Sequence, residues 1–129
     1  MAIILRVSLF LLGVLYIFIG FGFATDPVGS GANFGIAALD GTGAQGLSSI
    51  RADFTSFFWV TAGCLIIGSW KANAALLNTG AALMGVVFLV RGASLYLDGT
   101  YEGWMTPMAV ELLTAIVALA AARILPNAD

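Results

Sequence analysis

The chain has 129 residues, of which 60% are hydrophobic and 9% are charged, whereas soluble domains average about 45–50% apolar and about 25% charged residues. This composition excludes an ordinary soluble domain, and a net charge of −2 leaves no basic surface of the kind that nucleic-acid binding requires. The absence of histidine and the presence of a single cysteine exclude the common zinc, haem and copper sites, so we expect no metal and no cofactor.

The first apolar stretch, residues 3–24, predicts a helix that spans a membrane, because about 20 apolar residues cross a bilayer core. It is longer than the apolar core of about 7–15 residues in a secretory signal peptide, so we expect it to be retained. Residues 25–49 are the predicted outer loop, because six glycines make regular structure unlikely across its whole length. Within this loop we expect residues 34–39 to form a short helical turn at the membrane surface.

Three further apolar stretches predict membrane helices at residues 50–70, 72–98 and 107–125. The first two of these follow each other almost directly, so they must form an antiparallel hairpin. Thr106 and Pro107 suit the cap and the first position of the last helix. The predicted fold is therefore all-α: a single integral membrane domain, residues 1–129, folded as a four-helix bundle.

Positive residues near the helix ends predict the orientation of the bundle. With four spans, Arg6, Lys71 and Arg123 all lie on the side that holds both termini. Cytoplasmic segments carry an excess of Lys and Arg, so we predict that both termini are cytoplasmic. The loops on the opposite side contain acidic residues instead.

Four charged residues of the predicted helices should gather in the outer leaflet: Arg51, Asp53, Arg91 and Glu111. Arg91 lies about 10 Å below Asp98 and Glu111 about 6 Å below Pro107, at a rise of about 1.5 Å per residue, so the two should reach similar depths on adjacent helices. In one interpretation the four charges neutralise one another and fix which helices are neighbours. In the other they hold the head group of a ligand, because ionisable residues in membrane spans often mark functional sites. The sequence leaves both interpretations open.

One face of the last helix carries small residues below its glutamate. Glu111, Ala115, Ala118 and Ala122 follow the spacing that lines one side of a helix. Small residues mark close packing of membrane helices. We therefore predict that this face points into the bundle.

Four short motifs carry a family resemblance: Ile50-Arg51-Ala52, Arg91-Gly92, Asp98-Gly99 and Glu111. With them the chain resembles, over residues 47–123, a family of small four-helix bacterial membrane proteins of unknown function that is distantly similar to the DoxX-like proteins. That family often continues the first motif with Tyr-Gly, where this chain has Asp53-Phe54. The resemblance implies a four-helix fold and a location in the bacterial inner membrane, and it assigns no activity. Some DoxX-like proteins are subunits of quinone-linked oxidoreductases, an analogy at the level of the fold.

The sequence offers no pattern for catalysis, because no Ser-His or Cys-His nucleophile, thiol pair or phosphate-binding loop is assembled in it. We therefore expect a non-enzymatic membrane protein. The first hypothesis is an accessory or interaction subunit that packs on another membrane protein or on itself. The alternative is a binder or transporter of a small amphipathic or anionic molecule, lipid- or quinone-like, held at the outer-leaflet cluster. In both cases the expected partners are membrane lipids and proteins, and not nucleic acid.

Overall fold

The computed structural model describes residues 1–128. Its five α-helices are α1 (Ala2–Thr25), α2 (Pro27–Asn33), α3 (Ala44–Trp70), α4 (Ala74–Asp98) and α5 (Met105–Ile124), followed by a 3-10 turn at Leu125–Asn127. No strand occurs among these residues. Four segments are long and apolar enough to cross a membrane: α1, α3, α4, and α5 together with the 3-10 turn. The prediction of an all-α protein with four such helices is confirmed; residue 129, the last of the predicted domain, lies outside the described part.

The four long helices form a ring in which each packs mainly against two neighbours. α1 packs mainly against α3, and α4 mainly against α5, while contacts between α3 and α4 and between α1 and α5 close the ring. Short connections join α3 to α4 and α4 to α5, so these pairs run antiparallel, as in up-and-down bundles. The hairpin of the second and third membrane helices is therefore present as predicted.

The predicted outer loop is wrong in part, because residues 25–49 contain helical structure. Asp26 accepts a hydrogen bond from the Gly29 N–H at 2.9 Å, and Pro27 occupies the first position of α2, where no N–H is needed. The predicted helical turn at residues 34–39 is also wrong, since the helix lies before it. The Ile36 N–H donates to the Gly31 carbonyl at 2.9 Å, a close approach that a side chain at Gly31 would obstruct.

α3 begins at Ala44 and not near residue 50, so Arg51 and Asp53 lie beyond its first turn. Gly46 sits so close to Ala38 that an added Cβ would lie 2.7 Å from the Ala38 side chain. This packing outweighs the weak helix propensity of Gly46 and the two serines that follow it. The start of α4 differs as well: Ala72 has a positive φ of 50°, and Asn73 caps the helix by accepting the Leu76 N–H at 3.1 Å. The predicted start of the last helix is also wrong, since α5 begins at Met105 after Trp104 and Pro107 is its third residue.

Two regions make up the interior. In the half nearer α2, Phe23 stacks on Phe54 and Phe58 with ring centroids 4.8 and 5.9 Å apart, which joins α1 to α3. Elsewhere small and aliphatic side chains are buried, and the α5 face of Glu111, Ala115, Ala118 and Ala122 points inward as predicted. Many large apolar side chains on the outside are exposed, a surface of the kind that contacts lipid or another protein.

Candidate functional site

An ion pair between α4 and α5 is the central polar feature of the bundle. Arg91 donates from Nε to Oε1 and Oε2 of Glu111 at 2.9 and 3.2 Å, and its Nη2 lies 2.9 Å from Oε1. The Glu111 side chain is 9% exposed and that of Arg91 is 29% exposed. Two guanidinium nitrogens thus engage one carboxylate, the geometry in which Arg–carboxylate pairs are strongest.

The connection between α4 and α5 sets the depth of this pair. Arg91 lies about 10 Å from the end of α4 at Asp98, and Glu111 about 9 Å from the start of α5, at a rise of about 1.5 Å per residue. Tyr101, in the connection itself, places its hydroxyl 3.5 Å from Arg91 Nη1. The short turn therefore brings the two charges level and adds a third polar group above them.

The polar face of α4 continues outward from Arg91. Ser94 donates to Asp98 Oδ2 at 2.9 Å, one helical turn further along. Asp98 is exposed at the end of the helix. This face therefore changes from a partly buried ion pair to a solvated carboxylate over two turns.

Arg51 and Asp53 occupy a different place. The Nη1 group of Arg51 donates to the carbonyl of Ala24 in the last turn of α1, where the partial negative charge of the helix end favours a cation. Asp53 is exposed and forms no ion pair with residues 1–128. Although all four predicted site residues lie in the described part of the chain, neither of these two bonds to Arg91 or Glu111.

A buried hydrogen bond between α1 and α5 was not predicted. The hydroxyls of Tyr16 and Thr114 lie 2.7 Å apart, and Thr114 donates to the Val110 carbonyl at 2.8 Å, so Tyr16 donates to Thr114. Thr114 follows Glu111 by one turn on the inward face of α5. The sequence feature that could have predicted this bond is the tyrosine within an apolar span, since a buried Tyr hydroxyl usually has a hydrogen-bond partner.

An apolar cavity of about 370 Å³ lies at the end of the bundle that holds α2, where α2 and the segment after it cover the beginning of α3. Its lining includes Pro27, Val28, Ile36, Ala38, Leu47 and Ile50. A second cavity of about 170 Å³ lies between α1 and α2. Both cavities are lined in part by the segment that the sequence predicted to be a loop.

The part of the chain that the structure describes contains no group of three His, Cys, Asp or Glu residues placed to hold a metal ion. Cys64 is a buried free thiol. Within residues 1–128, every buried side-chain nitrogen and oxygen has a hydrogen-bond partner. The polar groups inside the bundle are therefore engaged with one another and with the backbone.

No protein-family model, curated protein or solved structure matches this chain. The resemblance to the small four-helix bacterial family stays a prediction.

Proposed function

We propose that this chain is a non-catalytic, multi-pass protein of the bacterial inner membrane that serves as an accessory or interaction component of a membrane assembly. It packs on another membrane protein or on a second copy of itself. The observation that carries this proposal is the ion pair of Arg91 with Glu111. The two opposite charges between α4 and α5 neutralise each other, a use of buried charges that fixes neighbours and register.

The same pair argues against the alternative, a binder or transporter of an anionic or amphipathic molecule at the four-residue cluster. A head group at Arg91 would have to compete with the nearly buried carboxylate of Glu111. Arg51, the other cation of that hypothesis, bonds to the end of α1 and not to Arg91 or Glu111, so the four residues do not form one site for a head group. The interaction role therefore has the stronger support.

The proposed orientation places both termini in the cytoplasm. Arg6 donates from Nη1 to the Trp70 carbonyl at 3.3 Å, so the beginning of α1 and the end of α3 lie at one end of the bundle, next to Lys71. Arg123 lies in the last turn of α5, near the C-terminal end. The bias of Lys and Arg toward cytoplasmic segments supports assigning this end to the cytoplasm.

The outer surface is suited to contact with apolar neighbours. No residue of α4 from 85 to 98 is buried, and Val86, Leu89 and Val90 are exposed. Exposed apolar surface of this extent marks a membrane or protein interaction. In a membrane, a partner helix binds to such a surface through packing and interhelical hydrogen bonds.

Co-expression of two differently tagged copies, followed by extraction in a mild detergent and native mass spectrometry, tests the proposal. We expect a species of one defined mass above that of the chain, containing either both tags or one additional protein in fixed ratio. Extraction in a harsh detergent is the control and should release the monomer. A monomer without partner in several mild detergents would overturn the proposed interaction role.

A further inference from the structure

The cavity of about 370 Å³ has the dimensions of a binding site and an apolar lining. It opens between α2, the segment that follows it, and the first two turns of α3, and Pro27, Leu47 and Ile50 are part of its wall. Pockets for small ligands measure about 300–1,000 Å³ and are lined mainly by apolar side chains. An apolar molecule of modest size therefore fits here better than water does.

The cavity lies where the long helices end. Pro27 follows the end of α1 at Thr25, and Ile50 lies two turns into α3. The ends of membrane-spanning helices lie where the hydrocarbon core of a membrane meets the head groups. The molecules that can enter a cavity at this depth are therefore lipids. Their acyl chains provide the apolar part that the lining accepts.

A cation directly follows a lining residue of the cavity in the sequence. Arg51 directly follows Ile50, and its guanidinium bonds to the carbonyl of Ala24, three residues before Pro27. Arg51 is exposed and forms no ion pair within the described residues. Since a guanidinium carries five N–H donors, donors remain for a further acceptor such as a phosphate.

The carboxylates near Arg51 narrow the class of ligand. Asp26 lies between Ala24 and Pro27 and caps α2, and Asp53 is exposed two residues after Arg51. A head group with several negative charges would be repelled by these carboxylates at close range. A single phosphodiester charge matches Arg51, the one cation that adjoins the lining in the described sequence.

We propose that this cavity binds one acyl chain of a singly charged anionic phospholipid, with the phosphodiester at Arg51. The site is separate from the ion pair of Arg91 and Glu111, and its existence does not depend on the proposed interaction role. Its recognition elements are the apolar wall for the chain and the guanidinium for the phosphate.

Native mass spectrometry of the full chain in detergent, titrated with phosphatidylglycerol or phosphatidylcholine of identical acyl chains, tests this proposal. We expect the wild type to bind phosphatidylglycerol about tenfold more tightly, the size of effect that one charge-assisted hydrogen bond provides. Ala32→Trp places a ring in the cavity from an exposed lining position and should abolish this binding. Ala82→Trp, at an exposed position on α4 outside the lining, is the matched control and should bind as the wild type does.

Arg51→Gln tests the head-group contact, because glutamine keeps an N–H donor for the Ala24 carbonyl and removes the charge. We expect this variant to bind both lipids with similar affinity. Equal binding by Ala32→Trp and Ala82→Trp would overturn the cavity as the site, and a tenfold preference retained in Arg51→Gln would overturn the role of Arg51. If Ala32→Trp does not fold, Ala37→Trp fills the same cavity from another exposed lining position.

Discussion

At the scale of single residues, the pairing of Arg91 with Glu111 compensates two charges inside the bundle. Each charge is removed from most of the surrounding water, and each is compensated by the other. A lone charge within a membrane helix costs about 2.5–3.5 kcal/mol on insertion scales. Removing one member of the pair therefore leaves the other charge uncompensated, which costs free energy that the intact pair does not lose.

We expect Glu111→Gln to lower the free energy of unfolding by about 1–3 kcal/mol, the usual cost of leaving a buried polar group without its partner. Buried pairs in soluble proteins cost about 3–5 kcal/mol when broken, but Arg91 is 29% exposed and extends toward the surface. Thermal unfolding in detergent measures the loss. Asp53→Asn removes an exposed carboxylate and is the control, with an expected change within about 0.5 kcal/mol.

The double change Arg91→Leu with Glu111→Leu extends this prediction. It should recover most of the stability lost in Glu111→Gln, because replacing a buried ion pair with apolar side chains is often neutral. Equal unfolding temperatures for Glu111→Gln and Asp53→Asn would contradict a stabilising pair.

At the scale of elements, close approach of helices depends on small residues at defined positions. On α1, Gly20 lies under the indole of Trp59, where an added Cβ would come within 2.5 Å of the ring. The Trp59 Nε1 group donates to the Ile17 carbonyl at 3.1 Å, which joins α3 to α1 by a side chain and a backbone group. On α5 the same principle operates through alanines, since Ala118 and Ala121 are fully buried.

Ala118→Leu should destabilise the protein by about 1–3 kcal/mol, because the additional carbons overpack a closed interface. Ile116→Leu is the matched control on the opposite side of α5, where Ile116 is 56% exposed. This near-isosteric change should leave the unfolding temperature in detergent almost unchanged. If both variants unfold at the same temperature, the contact between α5 and its neighbours is looser than the burial of Ala118 indicates.

At the scale of the whole molecule, the ring of four long helices places both termini and the turn between α3 and α4 at one end. The hydrogen bond from Arg6 to the Trp70 carbonyl crosses this end. The connection between α4 and α5, with Tyr101, lies at the other. The charges at the two ends should therefore determine the direction in which the whole bundle inserts into a membrane.

We expect a reporter fused to the C-terminus to give a cytoplasmic signal and one inserted into residues 99–104 to give a periplasmic signal, because Arg6, Lys71 and Arg123 bias their end toward the cytoplasm. A reporter inserted at residues 71–73 is the control and should agree with the C-terminal fusion. A periplasmic C-terminus would contradict the orientation in the proposed function.

The sequence by itself determined the features that depend on spacing along one helix or across one short turn. Four apolar stretches predicted the four long helices, because a span requires a continuous length of apolar residues. The inward face of α5 followed from the positions of Glu111 and three alanines, since residues three and four apart share a side of a helix. The similar depth of Arg91 and Glu111 followed from the rise per residue on either side of a short connection.

Only the tertiary structure decided which distant groups meet. Tyr16 and Thr114 are 98 residues apart, and Arg51 bonds to a carbonyl 27 residues away in α1, so no local pattern pairs them. α2 and the early start of α3 form in a segment rich in glycine, where packing of Gly46 against Ala38 outweighs local propensity. The physical reason is the same in each case: periodicity specifies which side of a helix is apolar, whereas the choice of neighbour depends on how whole helices pack.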